Sequence, residues 1–220
     1  YNALRTMQLL AERFEETHLI EEYTDMAEKT RKSFNVKFWN SESNCLFDVL
    51  LDSGADLSLR PKQVIAASMD FPVLDSSKVE CVLDIAQREL LTPYGLRTLA
   101  RGDPRYRGSY TGDRRSRDQA YHNGTVWPWL IGPFATAILK AKGCLDNQTQ
   151  TALKNLLLPL VTEQTCQAGL GSISEIFDGE PPHLPRGCIA QAWSVAEPLR
   201  AYIEDVIQAR PRYEKEFVHS

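Results

Sequence analysis

Tyr121-His122-Asn123-Gly124-Thr125-Val126-Trp127-Pro128-Trp129-Leu130 leads without a break into the most apolar helical pattern of the chain. That pattern runs from Gly124 to Ala141, and Gly143 closes it as a C-terminal glycine. The apolar stretch after it sets the fold class as helical. The stretch itself is odd for a helix start. It packs an aromatic, an imidazole, an amide, a glycine and two tryptophans into nine residues.

The neighbouring segments carry the same period. Downstream, Asn147 to Thr165 places Leu153, Leu156, Leu157, Leu160 and Val161 on one face, and a last helix spans Cys188 to about Ala209. Upstream, Asp75-Ser76-Ser77 caps a helix carrying Val79, Val82, Leu83, Ile85, Ala86 and Leu90. Arg60-Pro61 introduces another, Lys62 to about Met69, with proline at the first turn. Two more are expected over residues 1–17 and from Ile20 to Phe34. Cys45 to Leu50 reads as one short strand before a turn at Gly54. Thr92 to Asn123 and Gln167 to Gly187 show no sustained period and read as loops, long enough to be functional. About seven helices and barely any strand describe an all-α domain.

Composition narrows the function classes. The chain has 220 residues, is 43% hydrophobic and 25% charged, and carries a net charge of −4. A nucleic-acid surface would need clustered Lys and Arg. The one basic excess, Arg101 to Arg117, is interleaved with Asp103, Asp113 and Asp118. The longest apolar run is too short to span a membrane. Five scattered cysteines without a Cys-x-x-Cys pair argue against a disulfide scaffold or zinc site and for a reducing compartment. The sequons at Asn123 and Asn147 are then accidental. Tyr1 falls within an amphipathic pattern that lacks a cap, so the expectation is a single domain over 1–220, truncated at its N-terminus.

Flat indole faces beside short polar side chains suit a sugar, which offers apolar ring faces and hydroxyl edges. Three carboxylates, Glu175, Asp178 and Glu180, lie in a Gly/Pro-rich segment, followed by Gln191-Ala192-Trp193-Ser194. Glycoside hydrolysis uses one acid and one base or nucleophile. Each feature also has a plainer reading. Acidic loops are commonly just solvated, tryptophans near helix starts are more often core plugs, a lone His122 is more often structural, and Arg60 is more often a surface charge. The combination favours carbohydrate. Phosphate-loop, dinucleotide, zinc-protease and nucleophile-elbow signatures are all absent from the sequence.

Five motifs occur in order: Arg60-Pro61-Lys62-Gln63, Tyr94-Gly95-Leu96-Arg97-Thr98-Leu99, the Tyr121 to Trp129 stretch, Ser174-Glu175-Ile176-Phe177-Asp178-Gly179, and Gln191-Ala192-Trp193-Ser194-Val195-Ala196-Glu197. Together they resemble the C-terminal glucosidase domain of glycogen debranching enzymes, the amylo-α-1,6-glucosidase family, over Tyr1 to about Val206. The resemblance implies an (α/α)6 toroid of twelve helices in two rings, of which roughly the C-terminal half is present here. It also implies inverting hydrolysis of α-1,6-linked glucose stubs on glycogen or a related branched glucan, in the cytoplasm, without metal or cofactor. Inversion needs carboxyls about 6.5–9.5 Å apart, with water between. Carried onto this sequence, Glu175 is the general base, with Asp178 as second choice. Tyr121, His122, Trp127 and Trp193 line the glucose pocket, Arg60 and Gln63 form its rim or floor, and Arg97 and Asp118 support the hydroxyl network. The family's general-acid motif lies upstream of the helix at Tyr1 and has no match here. The expectation is therefore the base half of a site, completed by the N-terminal remainder of the same protein and inactive without it. A trehalase-like or oligosaccharide-trimming hydrolase, or a non-catalytic carbohydrate-binding fragment, are the alternatives.

Overall fold

The computed structural model describes residues 1–209. Among the described residues run eight α-helices: α1 (Asn2–Arg13), α2 (Thr17–Lys37), α3 (Lys62–Ser68), α4 (Ser76–Glu89), α5 (Arg114–Tyr121), α6 (Ile131–Lys142), α7 (Asn147–Thr162) and α8 (Ala192–Ala201). A π-helical turn, Tyr202–Val206, continues α8. The fold is all-α, as the helical period implies, and an arc of an (α/α)6 toroid, as the family resemblance implies.

Helix α6 is the hub. It packs against α3, α4, α7 and α8, as a helix apolar on nearly every side must. One core lies on the side of α3 and α4, built on Val64, Leu83, Leu90, Phe134 and Ala137. A second lies on the side of α7 and α8, built on Ile131, Ala135, Leu153, Leu157 and Ala201. Gly143 ends α6 in the left-handed conformation, in agreement with the sequence.

Several expectations are corrected. Cys45 to Leu50 is not one strand: β1 (Trp39–Asn40) pairs with β2 (Cys45–Leu46), and β3 (Val49–Leu51) pairs with β4 (Gly54–Asp56). The loop from Thr92 to Asn123 contains a short strand, Gly95–Arg97, and helix α5, and α6 begins at Ile131 rather than Gly124. Asp75 precedes α4 without capping it, because its carboxylate is 2.9 Å from Arg31 Nη2 and 3.5 Å from Lys78 Nζ. The helical spacing puts Leu4, Met7, Leu10 (or Ala11) and Phe14 on one face of the first helix; Met7, Leu10 and Phe14, the last just past the end of α1, are exposed, and Ala11 is the one buried residue of that helix.

The largest correction is an antiparallel ribbon of five short strands: β5 (Leu91–Thr92), β6 (Gly95–Arg97), β7 (Val126–Trp127), β8 (Ile176–Phe177) and β9 (Pro185–Arg186), hydrogen-bonded in that order. It brings both irregular segments together in one sheet. Alternation along its strands divides the side chains between the two cores. Leu96, Trp127 and Ile176 enter the first, and Val126 and Phe177 enter the second. Register sets Leu96 opposite Trp127 and Val126 opposite Phe177.

Gly95 makes this register possible. Its φ is +144°, and a methyl there would run into the Trp127 carbonyl. Gly95→Ala is expected to lower unfolding stability by about 3 kcal/mol, combining backbone strain with displacement of β7. Gly102→Ala, whose methyl meets nothing within 4 Å, should stay within about 0.5 kcal/mol of the parent in denaturant titrations.

Candidate active site

The site is built on a buried arginine. The Arg60 side chain, 19% exposed, donates from Nη1 to the carbonyls of Thr98 (3.0 Å) and His122 (2.5 Å) and from Nη2 to Asn123 Oδ1 (2.9 Å). Its Nε lies 3.6 Å from Asp48 Oδ2, and Lys62 Nζ lies 3.0 Å from Asp48 Oδ1. Arg60 thus locks the His122-Asn123 turn to β6 and to the loop before α3. It is an anchor, not a stray surface charge.

The aromatic stretch folds around that turn. Trp127, 5% exposed, stacks on His122 with centroids 5.4 Å apart and planes 14° apart, and meets Tyr121 edge-on at 4.9 Å. Its indole N–H is shared between the Tyr121 carbonyl (3.1 Å) and Thr125 Oγ1 (3.2 Å). Trp193, from the first turn of α8, is 45% exposed and lies 5.7 Å from Trp127 and 6.0 Å from Trp129, centroid to centroid. Arg60, His122, Trp127, Trp129 and Trp193 line one cavity of 390 Å³. Burial, and then the nearby Arg60 charge, push the His122 pKa below its ordinary value. The neutral imidazole can both donate to and accept from a hydroxyl.

Glu175 sits immediately before β8. Its backbone N–H donates to the Cys188 carbonyl at 2.9 Å, which brings the two ends of the β8–β9 hairpin together. Its carboxylate accepts from the Tyr121 hydroxyl on Oε1 (2.5 Å) and from the Cys188 backbone N–H on Oε2 (3.0 Å). Gly187, at φ +68°, leaves room for Oε2 where a methyl would collide with it. Burial pushes the Glu175 pKa upward, but the hydrogen bonds from Tyr121 and Cys188 outweigh it and hold the carboxyl below its ordinary value. At neutral pH Glu175 is a carboxylate. Each oxygen has one accepted bond and spare acceptor capacity.

The family model described as amylo-alpha-1,6-glucosidase matches residues 1–200. The chain belongs to the amylo-α-1,6-glucosidase family. Among solved structures it is similar to a protein titled "Sialidase", with TM-score 0.72, 15% identity and 95% of this chain covered. The match spans 19% of that longer chain, and at this identity the likeness speaks to the fold alone. The amylo-α-1,6-glucosidase match marks a glycoside-hydrolase-like domain.

In this amylo-α-1,6-glucosidase domain the remaining expected residues are placed unevenly. Asp178 is buried, accepting from the Tyr110 backbone N–H (2.7 Å) on Oδ1 and from Arg186 Nε and Nη2 (both 2.9 Å) on Oδ2. That carboxylate is committed to holding the loop. Arg97 is buried too, donating to the carbonyls of Gly179 (2.9 Å) and Leu91 (3.4 Å). Gln63 bridges the Leu46 N–H and the Arg60 carbonyl and is not among the cavity's lining residues. Asp118 lies exposed on α5, 3.7 Å from Arg114 Nε, and is not among the cavity's lining residues. Tyr110 and the Cys188 N–H were not expected. Tyr110 was visible only as one of three loop tyrosines, and a backbone donor leaves no sequence signal.

Asp178→Ala should strand Arg186 and the Tyr110 N–H, costing about 3 kcal/mol in stability. Glu175→Gln should cost under about 1 kcal/mol, since the Tyr121 hydroxyl can turn to accept from the amide. Thermal unfolding of the two variants checks the contrast.

Proposed function

We propose that this chain is the C-terminal portion of an inverting amylo-α-1,6-glucosidase domain that removes single α-1,6-linked glucose stubs from glycogen or a related branched glucan. The observation that carries this reading is an ionised carboxylate, Glu175, fixed by two donors in a chain of this family. One donor is the hydroxyl of Tyr121, whose ring packs against the His122 and Trp127 that line the cavity; Glu175 and Tyr121 are not themselves among the cavity's lining residues. Glu175 takes a proton from a water, whose oxygen attacks the anomeric carbon. The glycosidic oxygen leaves with a proton from a general acid on the opposite face of the sugar. Attack from the face opposite the α-linkage yields β-glucose.

His122, Trp127 and Trp193 seat the sugar. Arg60 holds that wall in place, and Arg97 and Gln63 hold the backbone beneath it. Asp118 has the weakest case for a part in binding. The general acid is assigned to the polypeptide upstream of Tyr1, because the family's acid motif has no match in this sequence. The unpaired cysteines favour the cytoplasm as the place of action.

In the full-length protein, Glu175→Gln should lower glucose release from a branched limit dextrin by at least about 10²-fold. Unchanged turnover would sink the assignment of Glu175. Proton NMR of the first product formed should show the β-anomer, and cleavage of trehalose in preference to limit dextrin would point to a different hydrolase. Trp193→Ala should raise KM by about tenfold with a smaller change in kcat, as expected for loss of one stacking face. Initial rates across substrate concentration separate the two constants.

A further inference from the structure

Tyr121 was expected to line the sugar pocket, yet its hydroxyl points at Glu175. We propose that Tyr121 is the positioning residue of the base: its hydroxyl, with the Cys188 N–H, sets which lone pair of Glu175 meets the attacking water. The proposal rests on the reading of Glu175 as that base.

Three features make Tyr121 suited to this role. Its backbone is held, since Thr125 Oγ1 (2.7 Å) and Trp127 Nε1 (3.1 Å) both donate to its carbonyl. Its ring is held as well, edge-on to His122 at 4.7 Å and to Trp127 at 4.9 Å, with Tyr110 tilted against it at 5.8 Å. The hydroxyl therefore has little freedom to follow a moving partner, and the carboxylate must come to it. Finally, Tyr121 ends α5, whose start is fixed by Asp113 accepting from the Ser116 N–H at 2.8 Å. The position of the hydroxyl is thus set by a helix rather than by a loop.

The chemistry agrees with the geometry. With Oε1 taken by Tyr121 and Oε2 by Cys188 N–H, the carboxylate plane cannot rotate freely, and one lone pair on each oxygen remains. The proton from water goes to one of these. Tyr121 keeps its own proton throughout: burial, and then the bond to Glu175, push its pKa well above the ordinary phenol value. The titratable and polar groups that face the pair are Tyr110, His122, the Cys188 thiol and Gln191. A donor on the carboxylate stabilises its ionised form and lowers its pKa, so removing the donor raises it.

The test measures kcat, KM and the pH dependence of kcat/KM in the full-length protein for Tyr121→Phe and Glu175→Gln. Tyr121→Phe should lower kcat about tenfold with KM within about twofold, and move the acid limb up by about one pH unit. Replacing Tyr121 with 3-fluorotyrosine, a stronger donor, should move that limb the other way; this protein carries the test alone if Tyr121→Phe does not fold. An acid limb that stays in place in these proteins while Glu175→Gln is inactive overturns the role of Tyr121 and leaves the base assignment intact. A rise in KM with unchanged kcat also overturns it, returning Tyr121 to sugar contact. Full activity in Glu175→Gln overturns both.

Discussion

Two residues, Val126 and Trp127, are hydrogen-bonded between β6 on one side and β8 on the other, and the rest of the site depends on that pairing. It places Trp127 in one core and Val126 in the other, so the strand cannot slip by a residue without exchanging their burial. The same pairing fixes β8, and with it Glu175, the residue just before it. The aromatic wall and the carboxylate are thus two consequences of one register. Gly95 lets β6 approach closely enough for it to form.

Helix α6 carries this ribbon into the body of the fold. Gly132 allows α8 to lie against α6, since any side chain there would meet Glu197. Arg200 then ties α8 down, pairing with Glu197 and Glu204 (both 3.1 Å) and donating to Thr136 on α6 (3.0 Å). Because Trp193 belongs to the first turn of α8, this packing is what brings it beside Trp127 and Trp129. The cavity is a meeting of α8, the start of α3 and the β7 turn, not a property of any one of them.

Charges near the site separate into two kinds by what they touch. Arg60, Arg97 and Asp178 spend their hydrogen-bonding capacity on backbone groups and on the side chains of Asn123, Asp48 and Arg186, and their burial is tolerable because of it. Where Asp178 is buried and ion-paired with Arg186, Glu175 is half-buried and held by two neutral donors, the Tyr121 hydroxyl and the Cys188 N–H. A carboxylate so held stays ionised in a half-buried position and can still take a proton. That difference, rather than their closeness in sequence, separates Glu175 from Asp178.

The sequence by itself determined the helices α3, α4, α6 and α7, the left-handed end at Gly143 and the motif residues of the amylo-α-1,6-glucosidase family, because helical period, caps and motifs are local signals. The tertiary structure alone decided the rest. Strands two or three residues long carry no period, so most of the ribbon was hidden in what read as loops and β7 in what read as the start of a helix, and α5 was masked by its polar, arginine-rich composition. The partners of Glu175 come from a tyrosine 54 positions away and a backbone N–H 13 positions on. Hydrogen bonds of that kind depend on where the chain folds back, which no spacing along the chain records.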